Sequence, residues 1–283
     1  MFYVLEHFEV SEVCFRKDFD NRDACLSLDL SALPHPYGKS LIRVVMDGVS
    51  NGDGDAAVQI APRSLLYHLG SGLLEKHIDL ADRVEHMVTS GADDQEIKNF
   101  LETHIYGIIH NALTAANDAL KKSQYPRPYC TVSIAIVFFR YIFTANLGDS
   151  PIYLMNLDPK NPTLQPIFTC HNAAGEKMHQ GSFTEAQALQ SNEASKLHLF
   201  LGWRDYDLLR DTSYDSALLP QSSILLLGSD GALAQVLRTE MADVISKYHT
   251  CGLDTIYQEL KSLVEESGSI DDFTLIMDRI ESD

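Results

Sequence analysis

Four apolar runs in this 283-residue chain meet an aspartate at one end. Val44-Val45-Met46 runs into Asp47-Gly48, and Ala145-Asn146-Leu147 runs into Gly148-Asp149-Ser150. Leu225-Leu226-Leu227 runs into Gly228-Ser229-Asp230-Gly231, and Asp271-Asp272 opens the run that starts at Phe273. Aspartate is depleted in strands, and a carboxylate beside a buried strand is costly unless something pairs it. These segments hold too few Lys and Arg to supply partners. A single Asp-Gly can be an ordinary turn. Four repeats of one pattern suggest instead that strand ends converge on a cation. Hard divalent ions such as Mg²⁺ or Mn²⁺ take oxygen ligands and suit such a set.

The charge balance narrows the partners. Lys and Arg number 22 against 40 Asp and Glu, a formal charge of −18. Binding a nucleic-acid backbone requires clustered basic residues, so no nucleic-acid partner is expected. The same balance disfavours an anionic membrane surface, and no run approaches the ~18 apolar residues of a membrane span. Residues 1–10 include Glu6 and Glu9 and lack a basic start, so no signal peptide is expected. Five cysteines, with no Cys-x-x-Cys pair, suggest reduced thiols in a cytoplasmic protein.

Hydrophobic residues make up 45% of the chain, enough for a core. Runs rich in β-branched residues at 41–46, 131–139, 141–145, 152–155, 223–227 and 273–280 read as strands. Residues 56–74, 95–120, 240–248 and 254–266 have helical spacing. Strict βαβ alternation is missing, so antiparallel sheets covered by helices are expected rather than a parallel sheet. No linker divides the chain, which suggests a single domain over 1–283. The more polar segment 158–215 is a candidate flap, and Thr184-Glu185-Ala186-Gln187 reads as a capping box at a helix start.

Several familiar sites are excluded. Asn51-Gly52-Asp53-Gly54-Asp55 begins like a calcium loop, but Ala56 stands where glycine is needed and Pro62 where the last acidic ligand belongs. No P-loop or dinucleotide fingerprint occurs. Ser150 and Ser229 lie beside aspartates without the Gly-x-Ser-x-Gly elbow of a serine hydrolase.

Taken in order, the motifs resemble the metal-dependent protein serine/threonine phosphatases, the PPM or type 2C family. The matching residues are Asn21-Arg22-Asp23, Asp47-Gly48, Gly148-Asp149-Ser150, Ser229-Asp230-Gly231 and Asp271-Asp272. Thr169-Cys170-His171-Asn172, residues 181–188 and Leu201-Gly202 resemble weaker family elements in the same order. The resemblance implies an α+β fold: a four-layer α-β-β-α sandwich of two antiparallel sheets flanked by helices. It implies two Mn²⁺ or Mg²⁺ ions, with Asp47 bridging them and the Gly48 carbonyl binding one. Asp230 and Asp271 would complete one shell, Asp23 would lie near the other ion, and Asp149 would serve a third, weaker position. The implied activity is hydrolysis of phosphoserine or phosphothreonine in a phosphorylated protein substrate by a metal-bridging hydroxide.

The chain also departs from that pattern. Arg22 replaces a family glutamate, and Asp18 stands where a phosphate-binding arginine is usual. Arg16, Lys17 and Arg22 are the candidates to bind phosphate in its place. Gly52 stands where the family has a histidine, and Asp272 where it has asparagine. These changes motivate a second reading, a catalytically weak or inactive phosphatase-like module that regulates by binding.

Overall fold

The computed structural model describes residues 2–13, 21–30, 35–203, 207–269 and 271–282. Among these residues, ten strands form two five-stranded sheets. In chain order they are β1 (Phe2–Glu12), β2 (Asp23–Asp29), β3 (Ser40–Asp47), β4 (Val132–Phe138) and β5 (Tyr141–Leu147), then β6 (Ile152–Asn156), β7 (Thr163–Pro166), β8 (Ser213–Leu218), β9 (Ser222–Gly228) and β10 (Phe273–Ser282). One sheet has the order β1-β10-β9-β6-β7 and the other β2-β3-β4-β5-β8. Every neighbouring pair is antiparallel.

The sequence dictates the layering through the period of two along each strand. In β3, Ile42, Val44 and Met46 face the helix pair α1 (Gly54–Thr89) and α2 (Asp94–Lys121), while Leu41 and Val45 face the other sheet. Leu225, Leu227, Ile276 and Ile280 meet them across the inter-sheet core. On the far side, Leu226, Leu275 and Met277 pack on α7 (Arg238–Tyr248) and α8 (Leu253–Ser267). Central strands covered on both faces must be apolar throughout, which is why β3, β4 and β9 appear in the sequence as continuous hydrophobic runs. The four-layer α-β-β-α sandwich is the architecture expected from the sequence.

A buried ion pair lies within the inter-sheet core. Arg43 lies between Leu41 and Val45, and Asp278 between Ile276 and Ile280, so both side chains face inward. Arg43 Nε and Nη2 each donate to Asp278, both at 2.7 Å, and Nη1 donates to the carbonyls of Leu28 and Ile42. His7 Nδ1 lies 2.8 Å from the same carboxylate. The arrangement joins β3 of one sheet to β10 and β1 of the other.

Segment 158–215 contains β7 and the short helices α3 (Ala173–His179), α4 (Glu185–Leu189) and α5 (Leu208–Asp211), and it enters β8. The capping box at α4 is present: Gln187 N donates to Thr184 Oγ1, and Thr184 N to Gln187 Oε1. Among the described residues, no helix is long and apolar enough to cross a membrane. Cys25, Cys130, Cys170 and Cys251 carry no disulfide.

Candidate metal centre

Antiparallel pairing brings the end of β3, the start of β2 and the end of β5 to one end of the sandwich. Asp23 is the register partner of Asp47, and Val132 at the start of β4 pairs with Leu147 at the end of β5. The end of β9 and the start of β10 arrive there from the other sheet, with Gly228 opposite Leu275. Asp47, Gly48, Asp149, Asp230 and Asp271 line one cavity of about 190 Å³, together with Val49, Ser50, Asn51 and Thr131. Asp230 opens α6 (Asp230–Leu233), directly after Ser229.

The backbone around the cavity is closely fitted. Gly48 N donates to Arg22 O at 2.8 Å, and a Cβ on Gly48 would meet the Gly54 backbone at 2.8 Å. Gly148 has φ +114°, and a Cβ there would lie 2.5 Å from Thr131. Only glycine meets both demands. Thr131 ties two of the strand ends together. Its N donates to Asp47 O at 2.7 Å, its Oγ1 accepts from Asp47 N, and Oγ1 pairs with Ser150 Oγ.

The electrostatics of the cavity are those of crowded like charges. Burial pushes the Asp23 carboxyl up to about 7; hydrogen bonds from Ser229 and Thr274 oppose the rise, and Asp230 and Asp272 add to it. Burial also pushes Asp149 up to about 7; Asp230 adds to the rise, and the hydrogen bond from Asn172 opposes it. Asp47 is raised well above the carboxylate range by burial, then by Asp230, Asp23, Asp271 and Asp149 in turn. No Lys or Arg lines the cavity among the described residues. Asp23 Oδ2 is buried and receives no hydrogen bond. Carboxylates crowded by like charge, with a buried oxygen to spare on Asp23, fit a hard divalent cation.

A different trio has ligand atoms within 4.8 Å of one another: His35, Asp82 and Glu85. It does not fit a metal. His35 Nδ1 accepts from Tyr37 N, so the neutral ring carries its proton on Nε2, the atom 3.2 Å from Asp82 and 3.5 Å from Glu85. That nitrogen donates to the carboxylates and has no lone pair for an ion.

Of the residues expected to bind phosphate, Arg16 and Lys17 lie outside the described residues, as does Asp18. Arg22 is described, and its Nε is paired with Asp55 at 2.7 Å. Its backbone N donates to Asp272, whose carboxylate is buried. The sequence marked His171 and Asn172 only as part of a weak family-like stretch, and it assigned no supporting role to them or to Thr131. Asn172 Nδ2 donates to Asp149 Oδ2 at 2.8 Å, and His171 Nδ1 accepts from Gly148 N at 3.1 Å. The available signal was the Thr169–Asn172 stretch itself, which carries no metal-binding residue pattern of its own.

By sequence, no family model and no curated protein matches the chain. In structure, the chain has the fold of the PPM serine/threonine phosphatases. The phosphatase MsPP from Mycobacterium smegmatis, in complex with cacodylate, aligns with TM-score 0.65 and 18% identity over 97% of this chain and 98% of its own. The S. agalactiae serine/threonine phosphatase aligns with TM-score 0.67 and 16% identity over 98% of this chain and 99% of its own. The catalytic domain of the phosphatase PstP, in complex with two manganese ions, aligns with TM-score 0.65 and 16% identity over the whole of both chains. At these identities the likeness establishes the fold.

Proposed function

We propose that the protein is a divergent PPM-type phosphatase that hydrolyses phosphoserine or phosphothreonine in cytoplasmic phosphoproteins with Mn²⁺ or Mg²⁺. The observation that carries this reading is the convergence of Asp23, Asp47, Asp149, Asp230 and Asp271 from separate strand ends on a region where, among the described residues, no Lys or Arg lines the cavity. Asp47, at the centre of that repulsion, would be shared between two ions, with the Gly48 carbonyl beside it. Asp230 and Asp271 would hold one ion and Asp23 the other, and Asp149 a third and weaker one.

Bound divalent ions would lower the pKa of a water toward neutrality and offset charge on the phosphoryl and leaving oxygens. The protein then needs no nucleophilic side chain. The loop Val49-Ser50-Asn51 forms part of that wall and would set which phosphoryl group enters. Asp55 holds Arg22 Nε, so Arg22 would meet a phosphate with its remaining guanidinium N–H groups.

A turnover assay on p-nitrophenyl phosphate and on a phosphothreonine peptide tests this. Release of phosphate should require Mn²⁺ and stop on chelation. Turnover no higher than in the chelated control would reject the enzyme reading and favour the regulatory module, for which the Arg22–Asp55 pairing is the motivating observation.

A further inference from the structure

We propose that Asn172 is a positioning residue for Asp149, holding one carboxylate oxygen so that the other is presented to the cavity. The inference rests on the metal-centre reading above and extends it to a residue outside the cavity lining. Asn172 is 5% exposed, and its two amide atoms have different partners. Nδ2 donates to Asp149 Oδ2 at 2.8 Å, and Oδ1 accepts from Gly175 N at 2.8 Å as the N-cap of α3. One side chain therefore links the start of α3 to a carboxylate of the cavity.

The neighbouring contacts keep that link in register. His171 N donates to Gly148 O at 2.9 Å, and Gly148 N donates back to His171 Nδ1 at 3.1 Å. With Nδ1 accepting, the neutral ring carries its proton on Nε2 and donates to Ser213 Oγ at 2.7 Å. Asn146 Nδ2 donates to Thr169 O, and Thr169 N donates to Asn146 Oδ1. The stretch from Thr169 to Asn172 is thus fastened along the Asn146–Asp149 turn, and Asn172 is its last tie. Its amide also matches the chemistry: a donor toward the carboxylate and an acceptor toward the helix on two separate atoms, where Asp has no donor and Ser has only one short hydroxyl.

Asn172→Ser separates the two roles. Serine caps a helix nearly as well as asparagine, but its hydroxyl cannot span both contacts. Mn²⁺ should be titrated calorimetrically into full-length wild type, Asn172→Ser, Asp149→Asn and the double variant. We expect Asn172→Ser to weaken the Mn²⁺-binding event that Asp149→Asn removes, by about 10–100-fold as for other residues that orient metal ligands. The remaining binding should be unchanged. In the Asp149→Asn background, Asn172→Ser should add nothing, whereas a purely structural effect would persist there. Wild-type titration by Asn172→Ser, an equal loss in both backgrounds, or an Asp149→Asn variant that binds as wild type overturns the assignment. A wild-type protein that binds no Mn²⁺ overturns the metal-centre reading itself.

Discussion

Replacing Asp47 by asparagine should abolish Mn²⁺-dependent turnover while making the metal-free protein more resistant to heat. Both effects follow from the position of Asp47 among four other carboxylates. Asparagine keeps the size of the side chain but removes the charge that would attract a cation. Losing several kcal/mol of electrostatic stabilisation corresponds to a rate loss on the order of 10³-fold or more. Without metal the sign reverses. Burial first, then Asp230, Asp23, Asp271 and Asp149, raise the folded-state pKa of Asp47. A group whose pKa is raised by folding destabilises the folded state as pH climbs from its ordinary value through the raised one. Asparagine has no such penalty, so the midpoint at neutral pH should rise by roughly 2–8 °C, with a smaller gain near pH 4. Thermal melts of the metal-stripped variant check this. A lower midpoint at neutral pH would mean that the carboxylate is compensated within the protein.

The second large effect is expected at the buried ion pair between the sheets. Asp278→Asn would leave Arg43 charged and poorly compensated in the core, a loss of about 3–5 kcal/mol. For a chain of this size that lowers the melting midpoint by roughly 6–20 °C. Replacing both partners with apolar residues, as in Arg43→Met with Asp278→Leu, should recover much of the loss. The pH dependence has a definite sign. Burial alone would raise the Asp278 carboxyl, but the hydrogen bond from His7 and then the contacts from Arg43 hold it below its ordinary value of 3.8. Its contribution is present above that value and is lost as pH falls through the lower folded one. The hydrogen bond to Asp278 raises His7 above 6.5, against burial. That smaller contribution, from a part-exposed ring, is full below pH 6.5 and fades as pH rises through the raised value. The gap in midpoint between wild type and Asp278→Asn should therefore be widest between about pH 4 and 6.5. A gap independent of pH would show that the His7–Asp278–Arg43 contacts do not titrate as a unit.

The central strands and the aspartates were legible for one physical reason. A strand buried on both faces has no choice but to be apolar, and a carboxylate at its end stands out. The edges were less visible. In β1, the register shifts between Val4 and Glu6, so that Phe2 and Val4 pack between the sheets while Phe8 and Val10 pack toward the helices. A bulge of this kind breaks the period of two on which strand reading depends. Glu6 and Glu12 further disguise the strand, because their partners are on α8: Leu253 N donates to Glu6, and Tyr257 Oη and Lys261 to Glu12. The edge strands β7 and β8 are short and mostly part-exposed, so they read as loop. Helix α1 runs on to Thr89, well beyond the 56–74 stretch expected, with Leu80, Ala81 and Val84 continuing its buried face.

At the site, the ligand-type residues were readable and their supports were not. Asp47 ends β3 and Asp230 stands two residues beyond β9, so local pattern was enough. Asn172 reaches Asp149 across 23 positions of sequence, and Thr131 reaches Asp47 across 84. Such contacts depend on how strands pair, which no local pattern encodes. The arginine question divides in the same way. Arg22 was a candidate to replace the family's phosphate-binding arginine, and the fold pairs its Nε with Asp55 at the start of α1.

Calorimetric titration of Mn²⁺ into the metal-stripped wild-type protein and Asp47→Asn tests most directly whether these aspartates form a cation centre. We expect saturable binding of at least two ions by the wild type at neutral pH, and loss of that binding in Asp47→Asn. No saturable binding by the wild type, or a titration that Asp47→Asn leaves unchanged, would contradict the assignment.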